Sequence, residues 1–331
     1  MHTLEITRED CACTMDTSPL SCPACGHSEH RPLELIDVRD QHRFYSDNAE
    51  IQLQLNEAAE RAAREYQISR CTDCGLEFAD PMRAPSTDWY ALAYRARELF
   101  ANERWEFGAV MDAVAPGSRM LELGCGTGGF LKLCKQRNVP AVGVDFSSDA
   151  IAECRRQDLD GRLVDVCQPA LRPGEAAPDH ITAFHVLEHL ERPMALFEQA
   201  AANASHHTTF WIAVPSDRRA SRWLGEPDFL DQPPHHMTRW TEAALRNIGC
   251  RTNWVLENLT FEPTPIKDAA WTLSTRSWPY QALQRRGLIR YKTLPERAIR
   301  WAMYPTALLN RGLGRARSLT GFTMLARFRR G

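Results

Sequence analysis

Between residues 119 and 262 the chain alternates two kinds of hydrophobic pattern. Short runs apolar at consecutive positions, such as Met120-Leu121-Glu122-Leu123, Ala141-Val142-Gly143-Val144 and Phe210-Trp211-Ile212-Ala213-Val214, read as strands covered on both faces. Segments with helical spacing lie between them, at Gly129–Arg137, Ser148–Gln157, Pro193–Ala202 and Thr241–Ile248. Strand followed by helix, repeated, predicts a mostly parallel sheet with helices on its faces, an α/β fold. Further strands are expected at Gly161–Val166, at Asp179–Phe184 and at Arg251–Phe261.

The first of these strands delivers an acid and a glycine-rich turn into a helix: Glu122-Leu123-Gly124-Cys125-Gly126-Thr127-Gly128-Gly129. Glycines at such an exit accept positive φ and let a ligand approach the backbone, and the helix beyond offers free N–H groups. A nucleotide-type ligand follows. Spacing alone leaves the nicotinamide dinucleotides open, because Gly124, Gly126 and Gly129 also satisfy G-x-G-x-x-G.

With Glu122 two residues ahead and Gly128 completing G-x-G-x-G, the turn resembles the first motif of the class I S-adenosylmethionine-dependent methyltransferases. The resemblance extends through later strands. It implies that Gly124, Gly126 and Gly128 meet the methionine part of the cofactor with Glu122 and His185 beside it. Asp145, ending the next strand, would hold the ribose, Phe146 would cover the adenine and Asp165 would bond its amine. It further implies a Rossmann-like seven-stranded sheet whose last strand is antiparallel, a place that Gly321–Phe328 fits. The activity implied is methyl transfer. The competing functions are an NAD(P)-dependent oxidoreductase and a non-catalytic adaptor with a vestigial methyltransferase domain.

Length and charge narrow the setting. The 331 residues, 44% hydrophobic, suffice for one large core and a smaller module. A net charge of -2 gives no overall attraction to nucleic acid, so no nucleic-acid partner is expected. Neither a secretion signal nor a run of about 18 apolar residues is evident, so a cytoplasmic protein is expected.

Cysteine adds a second chemistry. Cys22-Pro-Ala-Cys25-Gly and Cys71-Thr-Asp-Cys74-Gly are two C-x-x-C-G knuckles, a set suited to a tetrahedral, closed and therefore structural zinc. Chance pairs or a redox dithiol are the alternatives. The knuckles are separated by more than the usual ribbon spacing of about 15–20 residues, so an insert is expected. Ile51, Leu55, Ala58, Ala59 and Ala62 fall at helical spacing and predict a helix over 47–66. The organisation expected is a tail at 1–20, a zinc-ribbon-like module at 21–82, a helical linker at 83–118 and the methyltransferase domain at 119–331. Front ends of this kind occur in a bacterial branch of the family that the chain resembles.

Methyl transfer needs alignment, exclusion of water and, for a hydroxyl acceptor, a base. The histidines able to serve are His189 and the pair His235-His236 in Pro233-Pro234-His235-His236. Each has an alternative role in fixing a turn or loop. The Pro-His-His stretch resembles one in zinc-ribbon-bearing methyltransferases of glycans and natural products, which makes O-methylation of a sugar, glycan or secondary metabolite the expected reaction. A basic, amphipathic insertion at about 266–320 suggests a lid, a lipid-linked acceptor or a peripheral contact with the inner membrane surface. A helical insertion packed on the core with solvated arginines is the alternative.

Overall fold

The computed structural model describes residues 21–46, 48–59, 62–97, 104–219, 222, 229–264, 266, 270, 273–275, 277–286, 298–299, 301–306, 308 and 321–331. The tail at 1–20 and most of the basic insertion, from Arg290 to Arg297 and from Arg311 to Arg317, lie outside them.

One seven-stranded sheet organises the larger part of the molecule. Its parallel strands are β4 (Met120–Leu123), β5 (Ala141–Asp145), β6 (Gly161–Leu163), β7 (His180–Phe184) and β8 (Thr209–Pro215), and the antiparallel hairpin β10 (Trp254–Phe261) and β11 (Thr323–Arg330) closes one side. The order is β10-β11-β8-β7-β4-β5-β6. Strand β11 runs antiparallel to both neighbours, with Leu325 opposite Ala213. The expected Rossmann-like sheet is therefore present. An all-parallel dinucleotide-binding sheet has no such hairpin, which removes the fold argument for a nicotinamide cofactor.

Helices α5 (Gly129–Gln136), α6 (Ser148–Arg156), α7 (Pro193–Asn203) and α8 (Glu242–Arg251) follow the predicted spans closely. Local chemistry sets their starts: Ser147 Oγ accepts from the Ala150 amide and Thr241 Oγ1 from the Ala244 amide, while Pro193 opens α7. Their apolar faces bury Phe197, Leu245 and Ile248 against Phe210, Ile212, Trp254 and Phe328 of the sheet.

The front end departs from expectation. The helix predicted over 47–66 is shorter, α2 (Ala49–Ala58), and it follows β1 (His30–Asp37) and α1 (Val38–Tyr45). Tyr66 belongs instead to β2 (Glu65–Cys71), fully buried, with its hydroxyl donating to the Arg83 carbonyl at 2.5 Å. Long-range pairing of β1 with β2 wins over local helical spacing there. Strand β3 (Glu77–Asp80) then pairs with β9, only Thr238–Arg239, so the small sheet β1-β2-β3-β9 takes its last strand from deep in the chain. Helices α3 (Thr87–Arg97) and α4 (Trp105–Met111) connect the two sheets, and α9 (Trp278–Arg285) precedes β11.

Candidate active site

The glycine turn sits at the switch point between β4 and its neighbours β5 and β7. Gly124 has φ +81°, and a Cβ there would stand 2.3 Å from Val186 Cγ2, so the turn after β7 packs where a side chain would go. Gly126, at φ +50°, meets nothing within 4 Å and faces open space. Gly128 is the left-handed N-cap of α5 and packs beside Leu159. Two of these glycines thus serve the fold, and Gly126 presents bare backbone to the cleft.

That cleft, of about 680 Å³, brings together Glu122, Gly124, Gly126, Asp145, Phe146, Asp165 and His185, along with His189. Asp145 is buried at the end of β5; its Oδ2 accepts from the Gly126 amide at 2.9 Å and its Oδ1 from the Ser147 amide at 2.8 Å. Burial raises its pKa against those amides. Glu122 is fully desolvated, which together with nearby Cys154 and Asp145 holds its carboxyl well above the usual range. Its Oε2 has no hydrogen-bond partner among the described residues. A ligand donor at this wall would satisfy it. Asp165 lies just beyond β6, exposed, with Oδ1 accepting from the Cys167 amide at 2.8 Å. Phe146 is 43% exposed at the mouth. Acids, bare backbone and an open aromatic suit a cofactor with a cationic amino acid end, a ribose and a flat base.

A second cavity, of about 350 Å³, adjoins the first and is lined by Glu106, His235, His236 and Thr323 among others. Tyr94, Arg104, His185 and His189 line both. His185, at φ 54°, is clasped between Glu188 Oε1 at 3.1 Å from Nδ1 and Glu106 Oε1 at 3.2 Å from Nε2. Burial acts to lower its pKa, but the two carboxylates outweigh burial and raise it. His189 behaves oppositely: burial and His235 push it down to about 4. Burial likewise holds His235 and His236 well below the usual histidine range.

The sequence pattern missed Arg104 and three further contributors. Tyr94 is on α3, Glu106 on α4, and Asp231, which accepts from His236 Nδ1 at 3.1 Å, lies in a short turn. Only the spacing of Tyr90 and Tyr94, one turn apart on an exposed-looking helix, hinted at a shared face.

The four knuckle cysteines also converge. Cys22 Sγ and Cys74 Sγ are 3.5 Å apart, as are Cys25 Sγ and Cys71 Sγ. All four sulfurs fall within 4.8 Å of one another. Both knuckles fold alike, with the Gly26 amide donating to the Cys22 carbonyl and the Gly75 amide to the Cys71 carbonyl.

Residues 92–259 match the methyltransferase-domain family, and the chain belongs to it. It is an S-adenosylmethionine-dependent methyltransferase. Among solved structures, such a methyltransferase from Archaeoglobus fulgidus is 19% identical, with 68% of this chain and 91% of that one covered and a TM-score of 0.44. Another, from Mesorhizobium loti, is 17% identical, with 68% and 97% covered and a TM-score of 0.43. No curated protein matches the chain. No described helix is long and apolar enough to cross a membrane.

Proposed function

We propose that the enzyme methylates a hydroxyl oxygen of a sugar, glycan or other secondary metabolite. The observation that carries this reading is the wall of Tyr94, Arg104, His185 and His189 common to both cavities. A cofactor cleft that opens onto a separate polar chamber gives methyl donor and acceptor adjoining places.

When bound, S-adenosylmethionine supplies a methyl group whose bond to sulfur breaks, with the electron pair left on sulfur, as the bond to the acceptor oxygen forms. Asp145 would hold the ribose, Phe146 and Asp165 the adenine, and Gly126 and Glu122 the amino acid end. His185, whose pKa the carboxylates of Glu106 and Glu188 raise against burial, would position the cofactor. The base would come from His189, His235 and His236: each Nδ1 is tied to an acceptor, which leaves Nε2 to receive the acceptor's proton.

Cys22, Cys25, Cys71 and Cys74 would hold a structural zinc. Tetrahedral coordination at about 2.3 Å spaces sulfurs roughly 3.8 Å apart, close to the separations present. A lipid-linked acceptor is the second reading, favoured by Trp278 and Trp301, which are 76% and 70% exposed ahead of β11. Vesicle sedimentation checks it, with Trp278→Ala expected to weaken association.

Calorimetric titration with S-adenosylhomocysteine and with NAD tests the main reading. Binding of the first alone is expected, with affinity reduced about tenfold or more by Asp145→Asn, roughly 1.4 kcal/mol. Preference for NAD would overturn it.

A further inference from the structure

His189, His235 and His236 each offer one ring nitrogen, and the three nitrogens lie within 4.8 Å of one another. The hydrogen bonds fix which nitrogen is which. His189 Nδ1 faces the His235 carbonyl at 2.7 Å, His235 Nδ1 the Leu230 carbonyl at 2.9 Å, and His236 Nδ1 an Asp231 carboxylate oxygen at 3.1 Å. A carbonyl or carboxylate oxygen only accepts, so each Nδ1 must carry the ring's proton. Each neutral ring then keeps its lone pair on Nε2, the nitrogen left for a ligand. His235 Nε2 is buried and without a partner among the described residues, on a side chain 5% exposed.

A close set of three imidazoles, one with an orphaned Nε2 and all with Nδ1 donating to carbonyls or a carboxylate, is the arrangement that orients metal-bound histidine. We infer that His189, His235 and His236 form a second metal site, holding a divalent transition metal such as zinc through three Nε2 atoms. Coordination at about 2.0–2.1 Å draws the nitrogens a little closer together. Nearby cations do not oppose it unbalanced, since Arg219 and Arg239 pair with Asp231 and Arg239 also with Glu34 and Glu77.

The two sites differ in kind. Four thiolates close the Cys22 site, whereas three histidines leave a coordination position facing the second cavity, which all three line. An oxygen of the acceptor fits that position. A metal-bound hydroxyl releases its proton more readily, so this part of the inference rests on the acceptor reading above and moves the activating role from a free histidine to the bound ion. The metal site itself does not depend on it.

Cobalt loading of the full chain tests the site. The metal-stripped protein is expected to take up about two equivalents of Co2+. One gives the intense thiolate-to-cobalt absorption of a sulfur site, and the other the weaker visible bands of a nitrogen–oxygen site. His236→Ala and, separately, His235→Gln should lose the second set while keeping the thiolate band and S-adenosylhomocysteine binding, which show an intact fold. One equivalent in the wild type, or two retained in both variants, overturns the inference. Failure of wild-type, metal-loaded protein to bind S-adenosylhomocysteine would instead overturn the methyl-transfer reading and leave the metal site standing.

Discussion

His189 donates from Nδ1 to the carbonyl oxygen of His235 at 2.7 Å, joining the turn after β7 to the loop that leads into β9. The same carbonyl accepts from the Tyr90 hydroxyl at 3.3 Å. The turn after β7, helix α3 and the loop into β9 are therefore braced against one another through one backbone oxygen.

That brace carries a pH signature. Burial and His235 hold His189 down to about 4, from an ordinary 6.5. In the metal-stripped protein the unfolded chain binds the proton more readily between those values, so the folded state loses stability as pH falls from about 6.5 towards about 4. His189→Gln should flatten this part of the stability curve of the metal-stripped protein, as measured by denaturation at several pH values, and should reduce kcat of the metal-loaded enzyme by about 100-fold or more with little change in S-adenosylhomocysteine affinity.

The glycines separate fold from ligand. Gly124→Ala sets a methyl against Val186 as well as forcing φ +81° on alanine, and should destabilise the protein by about 2–4 kcal/mol. Gly126→Ala meets no neighbour, so its strain is about 1–2 kcal/mol. Thermal denaturation should rank Gly124→Ala lower. Gly126→Ala should nonetheless lose cofactor affinity.

Glu77 ties β3 to Arg70 of β2, Arg239 of β9 and Arg222. Burial would raise its pKa, but Arg222, Arg70 and Arg239 outweigh burial and lower it from 4.5 to about 2. A depressed carboxyl stabilises the fold fully above the unfolded value, and that contribution is lost as pH falls through the folded one. Glu77→Gln should be less stable than wild type by of order 3 kcal/mol at pH 7. The gap should narrow between about pH 4.5 and pH 2, as urea denaturation would show.

The thiolate site should matter beyond its own module. Cys22→Ser is expected to lower bound zinc by about one equivalent. It should also weaken turnover more than cofactor binding, because β3 follows the second knuckle and pairs with the strand leaving His235-His236. Zinc content and S-adenosylhomocysteine titration of the same preparation give both readings.

What could be read from the chain alone was local. The runs 120–123, 141–145 and 209–215 and the glycine turn are short-range signals, and each becomes the expected element. The strand expected from Arg251 begins at Trp254, because α8 continues through Arg251. Distant pairings were illegible. Thr238–Arg239 has no strand pattern of its own and becomes β9 only because Phe78 and Glu77 stand opposite. Nor could spacing show that Glu106, on a separate helix, would clasp His185, or that Asp231 would orient His236. The proximity of the three histidines arises the same way, from a turn at the end of one sheet meeting a loop borrowed by the other.

A two-residue strand also limits what protein engineering can exchange. The Ala79 amide donates to the Met237 carbonyl at 2.9 Å, and the Met237 amide to the Glu188 carbonyl at 2.7 Å, so the front sheet is stitched through one residue to the turn between His185 and His189. Grafting the front end of a relative onto this catalytic half would import a foreign edge for that seam. A working chimera would have to carry residues 235–239 along with its donor's front end, so two distant stretches of sequence can be exchanged only together.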